Sequence, residues 1–347
     1  MQYVDKFTNK EITLLRKLAE QVYALSQRNC ESEKMRLWTQ HNDLKTNRPP
    51  IFIDPENGWK EIMPDNVLEC THPLARDWEF MLRRHIYQAT VLKDDRVTPD
   101  CFEIPYLFTD TGWGVELHKR GGEHGGAYKI LSVIEDYNKD FEKLHFPQFI
   151  IDFEGSDQLL IQAQELFRDI IPVRRYQSWW WSLGLTWSYI DLRGYEEFLC
   201  DFILEPENVH RMMTFLCDGN LKCIDWLEEN GLLFANTGNH YVGSGGLGYT
   251  DTLSSVPGQQ NVLTSEMWGF VESQETVSVS PETYGEFIFP YHRKLASRFG
   301  LNCCCCCEPF ESRWNYLKQL PGLRRVSCSP WSKREVTEEL LGKNYIA

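Results

Sequence analysis

The 347-residue sequence has no long apolar run and no cluster of basic residues. No stretch approaches the roughly 20 apolar residues that a membrane-spanning helix needs. No basic run is longer than the pair Arg324-Arg325, and the formal net charge is −14 with a pI near 5.2. Nucleic acid and anionic membrane surfaces are therefore poor partners. The segment Met1-Gln-Tyr-Val-Asp5 is not a signal peptide, so we expect a cytoplasmic protein.

The cysteines do not have the spacing of a disulfide framework. Five of the twelve are consecutive, at positions 303–307. Adjacent cysteines cannot easily bridge one another on a strand, so we expect reduced thiols in a reducing, anaerobic cytosol. Twelve tryptophans and fifteen tyrosines are also present. Many of these rings must pack the core, but they also suit an aromatic-lined pocket.

The cysteine run is predicted to form a strand, because Gly300 ends a helix just before it and a second helix follows Pro309. Side chains alternate between the two faces of a strand, so one face should carry Cys303, Cys305 and Cys307. The other face receives Cys304, Cys306 and Glu308. Two thiols on one face can bind one metal ion. Cysteine is also a common small core residue, but packing alone would favour Val, Ile or Leu here, so a metal or thiol site is the preferred interpretation.

The remaining pattern alternates strands with helices, which predicts an α/β protein with parallel strands. Strands are predicted near residues 50, 103, 173, 233, 270, 304 and 325. Tyr345–Ala347 is predicted to open an eighth strand, and we expect the chain to be truncated there. We therefore predict an N-terminal helical extension over residues 1–47 and a TIM-type (β/α)₈ barrel over residues 48–347.

Chemistry in such barrels lies at the C-terminal ends of the strands. Glu272 and Gln274 close the strand near residue 270, and His240 follows the strand near residue 233 in a glycine-rich loop, so these three are the candidate catalytic residues. The predicted substrate pocket is formed by the aromatic side chains Trp179, Trp180, Trp181 and Tyr249. The alternatives are that the tryptophans pack between barrel and helices, and that Glu272 and Gln274 are a solvated strand end.

Several segments resemble the uroporphyrinogen decarboxylase-like family, in particular its branch of corrinoid-dependent methyltransferases. The resemblance covers the chain from about Arg48. It is carried by Arg193-Gly-Tyr-Glu-Glu-Phe-Leu199, Pro206-Glu-Asn-Val-His-Arg-Met-Met213, Val242-Gly-Ser-Gly-Gly-Leu-Gly-Tyr-Thr250, Ser280-Pro281 with Phe289-Pro-Tyr291, Cys306-Cys-Glu-Pro309 and Leu323-Arg-Arg-Val-Ser-Cys-Ser-Pro-Trp331. The last two segments are the most specific. The Arg-Gln-Ala-Gly-Arg segment of true decarboxylases is missing after Ile51-Phe-Ile-Asp-Pro55, which argues against porphyrinogen decarboxylation.

The resemblance implies a zinc site. Related methyltransferases bind zinc through His-x-Cys and a later Cys, and these first two positions correspond to Cys305 and Cys307. The later Cys would lie beyond Ala347. Glu308, His240 and Glu272 are therefore the candidates for completing the site, and Cys306 is the alternative to Cys305 as a thiol ligand.

The implied function is an anaerobic, zinc-dependent methyltransferase of the O-demethylase type. It would move a methyl group between a small methylated substrate, such as a methoxyaryl compound or a methylamine, and the corrinoid (cobalamin) of a partner protein. Two alternatives stay open, a metal-free lyase of decarboxylase type and a thiol-rich metal-binding protein.

Overall fold

The computed structural model describes residues 6–46, 48–122 and 128–347. The chain forms two compact units, Met1–Phe108 with Ile151–Gln177, and Thr109–Ile150 with Ser178–Ala347. The division that we predict between residues 47 and 48 falls inside the first unit. In the described residues the protein is a mixed α/β structure with short strands.

The helices and strands are numbered along the chain within these ranges. The α-helices are α1 (Asn9–Ser26), α2 (Asn29–Asn42), α3 (Trp59–Ile62), α4 (Pro73–Tyr87), α5 (Tyr137–Asp140), α6 (Phe153–Phe167), α7 (Leu185–Arg193), α8 (Tyr195–Leu204), α9 (Pro206–Glu229), α10 (Pro281–Phe287), α11 (Phe289–Ala296), α12 (Trp314–Leu317) and α13 (Arg334–Leu341). The strands are β1 (Phe102–Ile104), β2 (Leu107–Asp110), β3 (His118–Gly121), β4 (Tyr128–Leu131), β5 (Phe149–Asp152), β6 (Val173–Arg175), β7 (Trp268–Val271), β8 (Leu301–Cys304) and β9 (Leu323–Val326).

The first unit is built on the N-terminal helix. The sequence Thr8-Asn-Lys-Glu11 predicts a capping box, and it is present, because the Thr8 hydroxyl accepts from the Glu11 amide and the Glu11 carboxylate accepts from the Thr8 amide. This reciprocal pair satisfies amides that a helix start leaves without partners. The sequence predicts an apolar stripe along α1, and four of its residues, Leu15, Leu18, Ala19 and Val22, are buried in one core with residues of α4, α6 and β1. Strands β1 and β6 pair in parallel, with Phe102 opposite Val173.

The predicted (β/α)₈ barrel is wrong. Five of the predicted strands exist, as β1, β6, β7, β8 and β9, but the described strands form small separate sheets. The segment near residue 50 is not a strand, and Ile51 is 61 % exposed. The amides of Ile51 and Ile53 donate to the carboxylates of Asp95 and Asp94, at 2.7 and 2.8 Å. The two carboxylates thus accept from the backbone amides that would otherwise donate to a neighbouring strand.

The predicted strand near residue 233 also fails to join a parallel sheet. Phe234 makes only an isolated antiparallel bridge with Gln260. The side-chain amide of Asn236 accepts from the backbone nitrogen of Trp268 and donates to its carbonyl oxygen, both at 2.9 Å. Because this side chain occupies the hydrogen-bonding groups of Trp268 at the edge of β7, no strand pairs there in the described residues.

The second unit contains a parallel sheet in the order β7-β8-β9. Helix α9 begins at Pro206 and α10 begins at Pro281 after the Ser280 cap, and in the sequence a proline at the first helical position predicts both starts. The sequence predicts one helix from Pro281 through Leu295 that ends at Gly300, but this helix is divided at Ile288, which precedes the second helix α11 and its Pro290. Ile346, in the predicted eighth strand, makes a single parallel bridge with Arg325. No helix in the described ranges is both long and apolar enough to cross a membrane.

Candidate functional site

The carboxyl ends of β7 and β8 lie side by side. Val271, the last residue of β7, is opposite Cys304, the last residue of β8. The amide of Cys305 donates to the carbonyl of Val271 at 3.1 Å, so the register continues one residue beyond β8. Glu272 and the rest of the cysteine run therefore leave the sheet at the same edge, which is where parallel α/β sheets carry their sites.

The strand of the cysteine run ends before it reaches the predicted zinc ligands Cys305 and Cys307. Strand β8 ends at Cys304, and Cys305 has a φ of +70°, in the left-handed region. This turn breaks the alternation that would place Cys305 and Cys307 on one face. Cys305 is buried with its sulfur 3.2 Å from that of Cys304, whereas Cys307 is exposed.

The structure instead brings together the thiols of Cys306 and Cys307, whose sulfurs are 3.7 Å apart. Cys306 is half-buried and packs against the core around Phe270 and Cys303. Burial, the neighbouring Cys307 and the charge of Glu308 raise the pKa of the Cys306 thiol to about 12. Without a nearby cation this thiol keeps its proton at neutral pH.

Glu308 is buried, and both of its carboxylate oxygens accept backbone hydrogen bonds. Oε1 accepts from the Ser273 amide at 3.0 Å, and Oε2 accepts from the Cys306 amide at 2.8 Å. These two bonds fix the carboxylate between the two strand ends. Glu308 thus positions the loop that carries the thiols.

Glu272 is a buried carboxyl on the neighbouring strand end. Its Oε1 accepts from the Ser182 hydroxyl at 3.2 Å, and its Oε2 accepts from the Gln274 amide at 3.3 Å. Burial, followed by the charges of Glu275 and Glu308, raises the pKa of Glu272 to about 8. At neutral pH this carboxyl therefore holds its proton.

Glu275 is the third carboxyl at this edge, and sequence reasoning missed it. Its Oε2 accepts from the Thr186 hydroxyl at 2.7 Å, while Oε1 is buried and has no hydrogen-bond partner within the described chain. Burial and the charge of Glu308 raise its pKa. Its place three residues after Glu272 was the available signal, because one turn of 3₁₀ helix, Gln274–Thr276, follows that strand end.

A cavity of about 460 Å³ opens beside these groups. It is lined by Trp187, Gln274, Glu275, Val277, Cys307, Pro309 and Trp331. The predicted site residues Gln274 and Cys307 therefore share one cavity. Trp187 was not predicted, and Trp331 was noted only as part of a motif.

The aromatic residues predicted to form the pocket lie elsewhere. Trp179 and Trp180 line a different cavity, of about 200 Å³, together with Ser182. Trp179 is buried and its indole nitrogen donates to the carbonyl of Leu232 at 2.8 Å. The Trp181 ring contacts Phe270 edge-on, which agrees with the alternative that these tryptophans have a packing role.

The two remaining predicted residues follow the segment that does not form a strand. His240 is buried, and its carbonyl accepts from the Gly248 amide at 3.0 Å. Tyr249 is half-buried. Neither residue lines the cavity that contains Cys307.

The spacing of the thiol pair can be compared with that of two zinc ligands. Two thiolates on one tetrahedral zinc, with bonds of about 2.3 Å, lie about 3.8 Å apart. The separation of 3.7 Å between the sulfurs of Cys306 and Cys307 fits this value. Catalytic zinc has three protein ligands. In the residues that the structure describes, no group of three or more His, Cys, Asp or Glu side chains is arranged to hold a metal ion, so a third ligand is not in place.

Comparison with known proteins gives no family. No family model, curated protein or solved structure matches the chain. The family resemblance of the motifs therefore stays a prediction. The barrel that this resemblance implies is contradicted by the described sheets.

Proposed function

We propose that this protein is a zinc-dependent methyltransferase that moves a methyl group between a small methylated substrate and a corrinoid protein. The observation that carries the proposal is the Cys306–Cys307 thiol pair, of which Cys307 lines a cavity of about 460 Å³ together with Gln274 and Glu275. The resemblance of Cys306-Cys-Glu-Pro309 and Leu323–Trp331 to corrinoid-dependent methyltransferases supports it. Methoxyaryl compounds and methylamines are the substrate classes considered.

The residues of the site have separate roles in this proposal. Cys306 and Cys307 would hold the zinc, which when bound supplies Lewis acidity toward an oxygen, nitrogen or sulfur of the substrate. Gln274 lines the cavity and would hydrogen-bond the substrate. Glu308 holds the loop of the thiol pair in place through its two backbone hydrogen bonds.

Glu272 would supply a proton where the leaving group needs one. When the C–O bond of a methoxyaryl compound breaks, the oxygen keeps the electron pair, and the reduced corrinoid of the partner protein would supply the pair for its new bond to the methyl group. In this proposal the Glu272 carboxyl, which accepts from the Ser182 hydroxyl, would be the proton donor to that oxygen. A methylated ammonium group leaves as a neutral amine and requires no proton.

The test is methylation of cob(I)alamin by anaerobically purified protein that has been assayed for zinc. Methoxyaryl compounds and methylamines are offered separately, and methylcobalamin is followed by its absorbance. We expect turnover with one class, and loss of turnover in Cys307→Ser. Cys200→Ser is the matched control, because this cysteine is exposed on α8. Absence of methyl transfer from every compound by folded, zinc-loaded protein would reject the proposal.

A metal-storage role is the second candidate. It is favoured by the presence of two adjacent thiol pairs, Cys304 with Cys305 at 3.2 Å and Cys306 with Cys307 at 3.7 Å. Storage predicts that more than one thiophilic ion binds each chain, whereas the enzyme needs a single zinc. Titration with zinc under anaerobic conditions, read as bound metal per chain, separates the two roles.

A further inference from the structure

We propose that the cavity beside Cys307 binds a methylated ammonium cation. We call it the tryptophan pocket, defined by Trp187, Gln274, Glu275, Val277, Cys307, Pro309 and Trp331. That the cation is the methyl donor rests on the proposed function, whereas its binding does not.

Two large aromatic rings stand at the surface of this pocket. Trp331 is 76 % exposed and Trp187 is 42 % exposed. Both residues line the same cavity, and Val277 and Pro309 add apolar surface between the polar groups. Tryptophan faces attract cations within about 6 Å of the ring, and paired aromatic walls are the common means of binding quaternary ammonium groups.

The charge of the pocket selects a cation. Glu275 is its one acidic residue, and none of the seven residues that line it is basic. The Oε1 atom of Glu275 is buried and has no hydrogen-bond partner in the described residues. An ammonium group would compensate this carboxylate without needing an N–H donor, while a methoxybenzoate anion would be repelled by it.

The geometry also fits the proposed methyl transfer. Cys307 lines the tryptophan pocket and is paired with Cys306, so the methyl groups of a bound cation would lie on the side of the thiol pair. The C–N bond breaks with its electron pair staying on nitrogen, and a neutral amine is released. The reduced corrinoid of the partner protein would accept the methyl group and would supply the electron pair of the new bond. No proton is transferred, so Glu272 is not required for this donor class.

Direct binding tests the inference on the full chain without metal or corrinoid. Choline and tetramethylammonium are titrated by calorimetry and by tryptophan fluorescence. The comparison ligand is the uncharged isostere of choline, in which a quaternary carbon replaces the nitrogen. We expect choline to bind at least about tenfold more tightly than this isostere.

Variants of the pocket identify the groups responsible. Trp331→Ala and Glu275→Gln should each weaken choline binding about tenfold, whereas Trp331→Phe should keep most of the affinity. Trp226→Ala is the control, because Trp226 is a partly exposed tryptophan of α9 that lies outside the pocket. Trp331 is mostly exposed, so Trp331→Ala should remain folded and decides the matter if Glu275→Gln does not fold.

Equal affinity for choline and its isostere would overturn the inference, as would unchanged binding by folded Trp331→Ala. Binding of choline without any methyl transfer would reject the proposed function and support the pocket. Methyl transfer from a methoxyaryl compound without binding of any ammonium cation would support the proposed function and overturn the inference about the tryptophan pocket.

Discussion

The carboxylate of Glu308 lies 3.0 Å from the backbone nitrogen of Ser273. This hydrogen bond joins the loop after β8 to the residues that follow β7. The other carboxylate oxygen accepts from the Cys306 amide at 2.8 Å. One buried side chain therefore holds both the thiol pair and the segment that carries Glu272 and Glu275, although neither of its contacts is visible in the sequence.

We expect Glu308→Gln to destabilise the protein and to disturb the thiol pair. The amide nitrogen of glutamine would face one of the two backbone donors, and a buried donor that loses its acceptor costs about 1–3 kcal/mol. Urea denaturation should show this decrease in the free energy of unfolding, and zinc content should fall with it. Glu286→Gln is the control, because Glu286 is exposed on α10. A Glu308→Gln protein as stable as the wild type would contradict the positioning role.

Glu272 should make stability depend on pH. Its pKa is raised from 4.5 to about 8, so between these values the folded state holds a proton that the unfolded state has lost. The free energy of unfolding therefore falls as pH rises through this window and is level above it. In Glu272→Gln, the decrease in the free energy of unfolding across this pH window should be about 2–4 kcal/mol smaller than in the wild type. Urea midpoints at about pH 5 and about pH 8.5, with Glu286→Gln as control, measure it. Parallel pH profiles of wild type and Glu272→Gln would show that the carboxyl ionises normally.

The thiol pair predicts which cysteines bind zinc. Cys306→Ser and Cys307→Ser should each lose most of the bound zinc, because each removes one of two sulfurs spaced for a single ion. Cys305→Ser should keep it, since Cys305 is buried against Cys304. Metal analysis of anaerobic protein, with Cys200→Ser as control, provides the measurement. Zinc kept in Cys306→Ser and lost in Cys305→Ser would restore the ligand pair that strand alternation predicts.

The local elements were largely predictable, and their assembly was not. The Thr8 capping box, the start of α9 at Pro206 and the strands β7, β8 and β9 follow from short-range patterns. The barrel fails because contacts distant in sequence override such patterns. Asp94 and Asp95 bind the amides of Ile51 and Ile53, and these contacts span more than 40 residues.

The site was predictable only in part, for a similar reason. Its location followed from the carboxyl ends of parallel strands, which brought Glu272, Gln274 and the cysteine run to one edge. Which cysteines pair could not be predicted, because the left-handed turn at Cys305 is a property of the folded loop. The tryptophan pocket draws Trp187 from α7 and Trp331 from the turn after β9, and no sequence spacing links these two residues.

The motif at Arg193 has a structural explanation that is open to test. Arg193 donates to Asp201 at 2.8 and 3.1 Å, and Asp201 also accepts from the Tyr137 hydroxyl at 2.5 Å. Because Asp201 is buried, Asp201→Ala leaves a largely buried guanidinium without its carboxylate partner and should cost about 3–5 kcal/mol in urea denaturation. Glu338→Ala, which removes the exposed ion pair with Arg334, should cost less than about 1 kcal/mol. Similar losses in both variants would contradict the buried network.

Gly184 should be intolerant of any side chain, because it approaches Glu272 closely. A Cβ atom at this position would lie 2.1 Å from Oε1 of Glu272 and 2.7 Å from its backbone oxygen. Gly184→Ala must therefore displace the carboxyl or the start of α7, at a cost of about 1–3 kcal/mol. The matched control is Gly58→Ala, whose Cβ would meet Pro55 at an ordinary 3.6 Å. Urea denaturation should show a loss of stability for Gly184→Ala alone, and methyl transfer from methoxyaryl compounds should fall with the displaced carboxyl. Full stability in Gly184→Ala would mean that Glu272 is not held against this glycine.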